Sequence, residues 1–443
     1  MVIVHRGIHN MTVLKKKFDV TNAHFETRSI HAGLKIDEEG SRALPLHRTA
    51  AYVFANAKQG ADRFNLRELG NIYTRLTNPT VSALEARIAS LEGGSGAVAV
   101  ASGTAAVHYT VLNIAKAGDE IISSKTVYGG TFAMFDAILP DQGITTKFVD
   151  IHNLAEVKTA IGPKTKILFA ETIGNPDVDV PDIEALAKIA HSHGIPLVID
   201  NTFATPYVFR PLEYGADIVV ESLTKWIGGH GTVLGGIAVE KGHFDWSKFD
   251  TFAKPDKGYH GLRFAYDLGP LAPIAFSIRF RTIPLRNLGA ALSPDNAWQI
   301  LQGVETLPLR IDRHNENALK VAKFLKAHPK VEWVSYPGLP DDPSHALAVK
   351  LFEHGFGSVI AFGAGKNKED ATKFIDSLKL FSQLANVGDA KSLAIHPAST
   401  THSQLSLEAL KESGISENLV RLSIGIEHID DIIDDLDQAL KQI

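Results

Sequence analysis

The sequence predicts an α/β protein: a mostly parallel sheet with helices on both faces, followed by a smaller α/β domain. Three observations carry this. Short apolar runs alternate with helical stretches between residues 97 and 222. Those runs are continuous in Val, Ile, Leu and Ala rather than alternating with polar residues, as in strands buried on both faces. After a long helical stretch, strand-like and helix-like runs resume beyond residue 330.

The elements follow in order. Residues 1–77 have little periodicity and read as an arm laid on a neighbouring subunit. A partly disordered terminus is the plain alternative for residues 1–22, and Met11 is an alternative start. Asn78-Pro79 is a helix start, a capping amide followed by proline at the first helical position. Val81, Leu84, Ile88 and Leu91 recur at helical spacing, and Gly93-Gly94 ends the helix. Strands are expected at 97–102, 120–124, 146–150, 166–172, 196–202 and 217–222, with a helix over 182–194. From Ser293 a long helical segment, interrupted by Pro308, runs to about Pro329. Strands VEWVSYPG, GSVIAFG and VRLSIGIE and two helices then build the smaller domain. The division is residues 1–77 as arm, 78–292 as large domain and 293–443 as linking helix and small domain.

Composition excludes several functions. A hydrophobic fraction of 44% with 21% charged residues is that of a globular chain, not a disordered one. Lys plus Arg number 45 against 50 Asp plus Glu, a net charge of -5, which argues against nucleic-acid binding by general electrostatics. There is no cysteine, hence no disulfide, thiol nucleophile or cysteine-bound metal. No apolar run is long enough for a secretory signal or a membrane span, so a cytoplasmic protein is expected. GGHG at 228–231 fails the dinucleotide pattern because Leu234 replaces its third glycine. Gly365-Lys366 lacks the rest of a phosphate loop. His191 and His193 read as solvent-facing on a helix end, and no metal site is expected.

The chemistry lies at the strand ends. Ser102-Gly103-Thr104 follows a buried strand and opens a helix, where backbone N–H groups favour an anion. Asp200 ends the apolar run PLVI, and a carboxylate there is costly unless it meets a cation. Lys225 follows the next strand, and a partly desolvated lysine becomes a nucleophilic amine. With the hydroxyls of Ser222 and Thr224, the set points to pyridoxal phosphate. The lysine would bind it covalently, the carboxylate would pair with its ring nitrogen, and the helix start would hold its phosphate.

Several motifs then resemble the Cys/Met-metabolism family of pyridoxal-phosphate enzymes. They are Tyr73-Thr74-Arg75 with Asn78-Pro79-Thr80, ASGTAA at 101–106, Tyr128-Gly129-Gly130-Thr131, Asp200-Asn201-Thr202 and Ser222-Leu223-Thr224-Lys225. The likeness runs from about Phe25 to the C-terminus. It implies the fold-type I transferase architecture, with a seven-stranded sheet. It also implies that Lys225, Asp200 and Tyr128 are catalytic, with Tyr128 stacked on the cofactor. Ser102, Gly103, Thr104, Thr202, Ser222 and Thr224 would hold the cofactor, and Tyr73 and Arg75 would reach the phosphate of the neighbouring subunit. Arg421 would bind the substrate carboxylate, assisted by Asn175 and Ser392. A tetramer with sites shared across dimers is implied as well.

FETRSIHAG, ETIGNP, WIGGHGT and the 244–289 insert resemble the branch that takes O-acetyl-L-homoserine and sulfide, or a small thiol, to homocysteine or methionine and acetate. Gly130 stands where γ-lyases of methionine carry cysteine. A cystathionine γ-synthase or γ-lyase, or a non-enzymatic regulatory protein on the same fold, are the alternatives. The acyl leaving group and the sulfur donor are not legible.

Overall fold

The computed structural model describes residues 19–37, 39–400 and 416–443, so Met11 and residues 1–18 lie outside the described residues. The arm is not wholly extended. It carries two short helices, α1 (Phe25–His31) and α2 (Ala57–Phe64). Asn56 caps the second by accepting the Gln59 amide at 2.9 Å, a local signal that hydrophobic periodicity does not register. Helix α3 (Pro79–Glu92) begins as its sequence indicates, with Asn78 accepting the Thr80 amide and Gly93 in the left-handed conformation at φ 75°.

The first sheet contains β1 (Gly96–Val100), β2 (Glu120–Ser124), β3 (Thr145–Val149), β4 (Thr165–Glu171), β5 (Leu197–Asp200), β6 (Ile218–Glu221) and β7 (Gly236–Glu240). Their order is β1-β7-β6-β5-β4-β2-β3. Strands β3, β2, β4, β5 and β6 are mutually parallel, while β7 runs antiparallel between β6 and β1. No strand was expected at β7. Its short run, GIAVE, follows a glycine-rich stretch and has no flanking helix to mark it. Two apolar clusters cover the faces, one built around Leu84, Leu168 and Ile199, the other around Phe135, Phe169 and Phe276.

Helices Pro294–Glu305 and Leu307–Ala327 follow, broken at Thr306 because Pro308 falls in the first turn of the second. The second sheet contains β8 (Val331–Ser335), β9 (Val359–Ala364), β10 (Ser382–Gln383), β11 (Leu393–Ile395) and β12 (Leu419–Ser423), ordered β10-β11-β12-β9-β8. Its core includes Phe362, Phe374, Val420 and Leu436. Among the described residues no helix is long and apolar enough to cross a membrane. His191 is not simply solvated: its Nε2 lies 2.8 Å from Asp217 Oδ2, which also accepts the Leu197 amide.

Candidate active site

The parallel register brings the carboxyl ends of β1, β2, β4, β5 and β6 to one edge, where such sheets bind ligands. A cavity of about 290 Å³ opens there, and residues of the second domain form its far wall. Ser102, Gly103, Thr104, Tyr128, Asn175, Asp200, Thr202, Ser222, Thr224, Lys225 and Arg421 all line it.

Helix α4 (Gly103–Ile114) starts at the cavity, capped by Ser102, whose Oγ accepts the Ala105 amide at 3.1 Å. Its earliest amides precede the intrahelical ladder and carry the positive end of the helix dipole. Gly103 is required by space. A Cβ there would sit 2.6 Å from Ser222 Cβ and 3.0 Å from Ser222 Cα. Thr202 links the neighbouring turns: its Oγ1 accepts the Ser222 amide at 2.9 Å and donates to Asp200 Oδ1 at 2.5 Å. Thr224 is pinned to Gly235, accepting its amide at 3.1 Å.

Asp200 is one of several buried carboxyls at this edge. Burial raises its pKa to about 6, and the two hydrogen bonds from Thr202 limit the rise. Glu171 and Glu221 are pushed well above the carboxylate range, first by burial and then by acidic neighbours. Asp200 therefore ionises in preference to those two. Among the described residues no lysine, arginine or histidine forms an ion pair with it.

Lys225 faces the same space, its pKa lowered to about 8 by burial and by the Arg421 cation. Its Nζ donates to Asn386 Oδ1 at 2.5 Å. Arg421, on β12, is buried, and desolvation lowers its pKa to about 10. It donates to Asn175 Oδ1 at 2.9 Å and forms no ion pair among the described residues. Tyr128, 49% exposed as a residue, lines the cavity, and its backbone N–H donates to Glu171 Oε1 at 2.6 Å.

Three expected residues lie elsewhere. Ser392 is fully buried and engaged by Glu427 and the Gly425 amide, and it does not line the cavity. Tyr73 and Arg75 lie on the arm, where Arg75 bonds the Arg286 carbonyl and stacks 5.4 Å over Tyr73. Among the cavity residues to which the sequence assigns no role are two that bond to their neighbours there, Glu171 and Asn386. Glu171 belongs to ETIGNP and ends a buried strand as Asp200 does, so the same signal could have found it. Asn386 sits in an aperiodic loop and carried none.

The donor set fits pyridoxal phosphate. A buried carboxylate without a counter-cation suits a protonated ring nitrogen. A helix start crowded against Ser222 suits a phosphate, a half-exposed aromatic residue suits a flat heterocycle, and a low-pKa amine suits an aldehyde.

Comparison with known proteins agrees. Residues 26–441 match the family model described as Cys/Met metabolism PLP-dependent enzyme. The chain is similar to an O-acetyl-L-homoserine sulfhydrylase of Leptospira meyeri, 52% identical over 94% of this chain and 97% of that one. It is similar to a homocysteine synthase of Schizosaccharomyces pombe, 48% identical over 95% and 99%. A crystal structure of a candidate O-acetylhomoserine (thiol)-lyase from Campylobacter jejuni, with a pyridoxyl-lysine monophosphate, superposes with TM-score 0.91 and 43% identity over 94% and 99%.

Proposed function

The chain belongs to the Cys/Met metabolism family of PLP-dependent enzymes, and from that premise we propose that it exchanges the acetate of O-acetyl-L-homoserine for sulfide, giving L-homocysteine. A small thiol in place of sulfide would give the thioether, as methanethiol gives methionine. The observation that carries the reading is the convergence of Lys225, Asp200 and Arg421 on one cavity.

Bound pyridoxal phosphate supplies an electron sink conjugated to the substrate Cα. Asp200 keeps a proton on the ring nitrogen. The α4 start with Gly103, Thr104, Ser222 and Thr224 holds the phosphate, and Tyr128 covers the ring. Arg421 pairs with the substrate carboxylate, a role its planar fork suits, and Asn175 holds the guanidinium in place. Lys225, largely a base above its lowered pKa, would take the proton at Cα, pass it to the conjugated system that the bound cofactor supplies, and, neutral again, take one at Cβ. Acetate leaves from Cγ, sulfide adds there, and Lys225 returns the two protons. General base catalysis of this kind is worth roughly 10²–10⁴-fold, so the amine must be aimed as well as basic.

Tyr73 and Arg75 stand outside their own chain's cavity, which supports a role at the phosphate of a neighbouring copy. The arm, large-domain and small-domain division and a cytoplasmic tetramer belong to the same reading. The test is a product assay of O-acetylhomoserine with sulfide beside O-succinylhomoserine with cysteine. Homocysteine from the first pair supports the reading, and cystathionine from the second alone overturns it.

A further inference from the structure

We propose that Asn386, contributed by the second domain, is a further catalytic residue: it holds the Lys225 amine with an uncharged acceptor, which aims the amine while favouring its ammonium form far less than a carboxylate there would. The proposal rests on Lys225 acting as proposed above.

Asn386 Oδ1 is the amine's one hydrogen-bond partner among the described residues, at 2.5 Å. The loop that carries it is fastened to the lysine's own turn. Ala390 donates to the Gly229 carbonyl at 3.0 Å, and Gly229 in turn donates to the Lys225 carbonyl at 2.7 Å. Gly388 presses on Trp226, so closely that a Cβ there would meet the Trp226 nitrogen at 2.6 Å. Gly388 also donates to Ser423 Oγ at 2.9 Å, and Trp226 Nε1 to Ser358 Oγ at 2.8 Å. The loop backbone that carries Asn386 is thus placed by contacts from both domains that do not involve the lysine side chain.

The choice of group matters chemically. An amide oxygen accepts one N–H and leaves the amine's lone pair free to face a proton on substrate. A carboxylate of the same shape would instead hold an ammonium. The other charged or titratable groups on the cavity wall are Arg421, Asp200, Glu171 and Tyr128. Arg421 and burial both favour the neutral amine. Asp389, on the same loop, is turned to Lys391 at 3.0 Å. A carboxylate at 386 would oppose burial and Arg421 directly.

The test uses Asn386→Asp and Asn386→Leu, which keep the shape of the side chain. Cofactor-stripped protein is mixed with pyridoxal phosphate, and the rate of covalent capture is followed by absorbance from pH 6 to 10. Capture needs the neutral amine, so the wild-type rate rises with a midpoint near 8. Asn386→Asp is expected to move that midpoint up by about one unit or more, making capture at pH 7 about tenfold slower. Asn386→Leu is expected to leave the midpoint at or below that of wild type. In the loaded enzyme it should lower kcat by roughly 10- to 100-fold, with KM changed by less than about threefold. A wild-type midpoint retained by Asn386→Asp, or a wild-type kcat in Asn386→Leu, overturns the proposal and leaves the role of Lys225 standing. Failure of the wild type itself to capture the cofactor overturns both.

Discussion

In an Asp200→Asn variant the carboxylate at the end of β5 becomes a neutral amide of nearly the same shape. Its oxygen can still accept from Thr202 N, now 2.9 Å away, and from Thr202 Oγ1. What disappears is the cost of a buried negative charge. Burial lifts the Asp200 pKa from the ordinary 3.8 to about 6. A rise of about two units corresponds to roughly 3 kcal/mol against the ionised form at neutral pH. The folded chain holds this proton more tightly than the unfolded chain does. Its contribution to stability is therefore fully present below about pH 3.8 and is lost as pH climbs through about 6. Cofactor-free Asp200→Asn escapes that loss and should be more stable than wild type by about 1–3 kcal/mol at pH 7–8. The advantage should shrink toward pH 4. With cofactor the order reverses, because an amide cannot keep the ring nitrogen protonated, and turnover should fall by at least about 100-fold. Thermal unfolding of stripped protein at pH 4, 6 and 8, with kcat on the loaded form, measures both effects. A stripped variant less stable than wild type at every pH, with unchanged kcat, would refute the reasoning.

Other perturbations read different parts of the site. Gly103→Val places side-chain atoms against Ser222 where even a Cβ is too close, so cofactor affinity should fall by about 10-fold or more, measured by equilibrium dialysis. Arg421→Met removes the buried cation, and kcat/KM for the amino-acid substrate should drop by about 100-fold or more while cofactor still binds. Gly130→Cys puts a Cβ within 2.5 Å of the Tyr128 ring, so the ring must move and the absorbance of bound cofactor should shift. Inactive Lys225→Ala and Arg75→Ala chains, mixed and reassembled, should regain activity if Arg75 serves the neighbouring copy. No recovery in verified hybrids would place Arg75 outside the site.

Much of the large domain was legible because its strands are buried on both faces. Continuous runs such as EIISS and KILFAET mark β2 and β4 without ambiguity, and capping by Asn78 marks the start of α3 to the residue. The antiparallel β7 was not, since its glycine-rich approach gives neither a helix nor a hairpin signal. Asp200 and Lys225 were readable as charges out of place at strand ends. The surroundings of Ser392 were not readable from local sequence, since the Glu427 carboxylate that accepts from its amide and hydroxyl lies 35 residues away. Asn386 was invisible for a related reason. Its position comes from packing between Gly388 and Trp226, over 160 residues apart in sequence, and local pattern does not encode it.

The most direct measurement is chemical. Cofactor-loaded protein is reduced with borohydride, digested and analysed by peptide mass spectrometry. The pyridoxyl label should appear on the peptide containing Lys225 and vanish in Lys225→Ala. A label on a different lysine, or loaded protein that takes up none, would contradict the assignment on which the site and its chemistry depend.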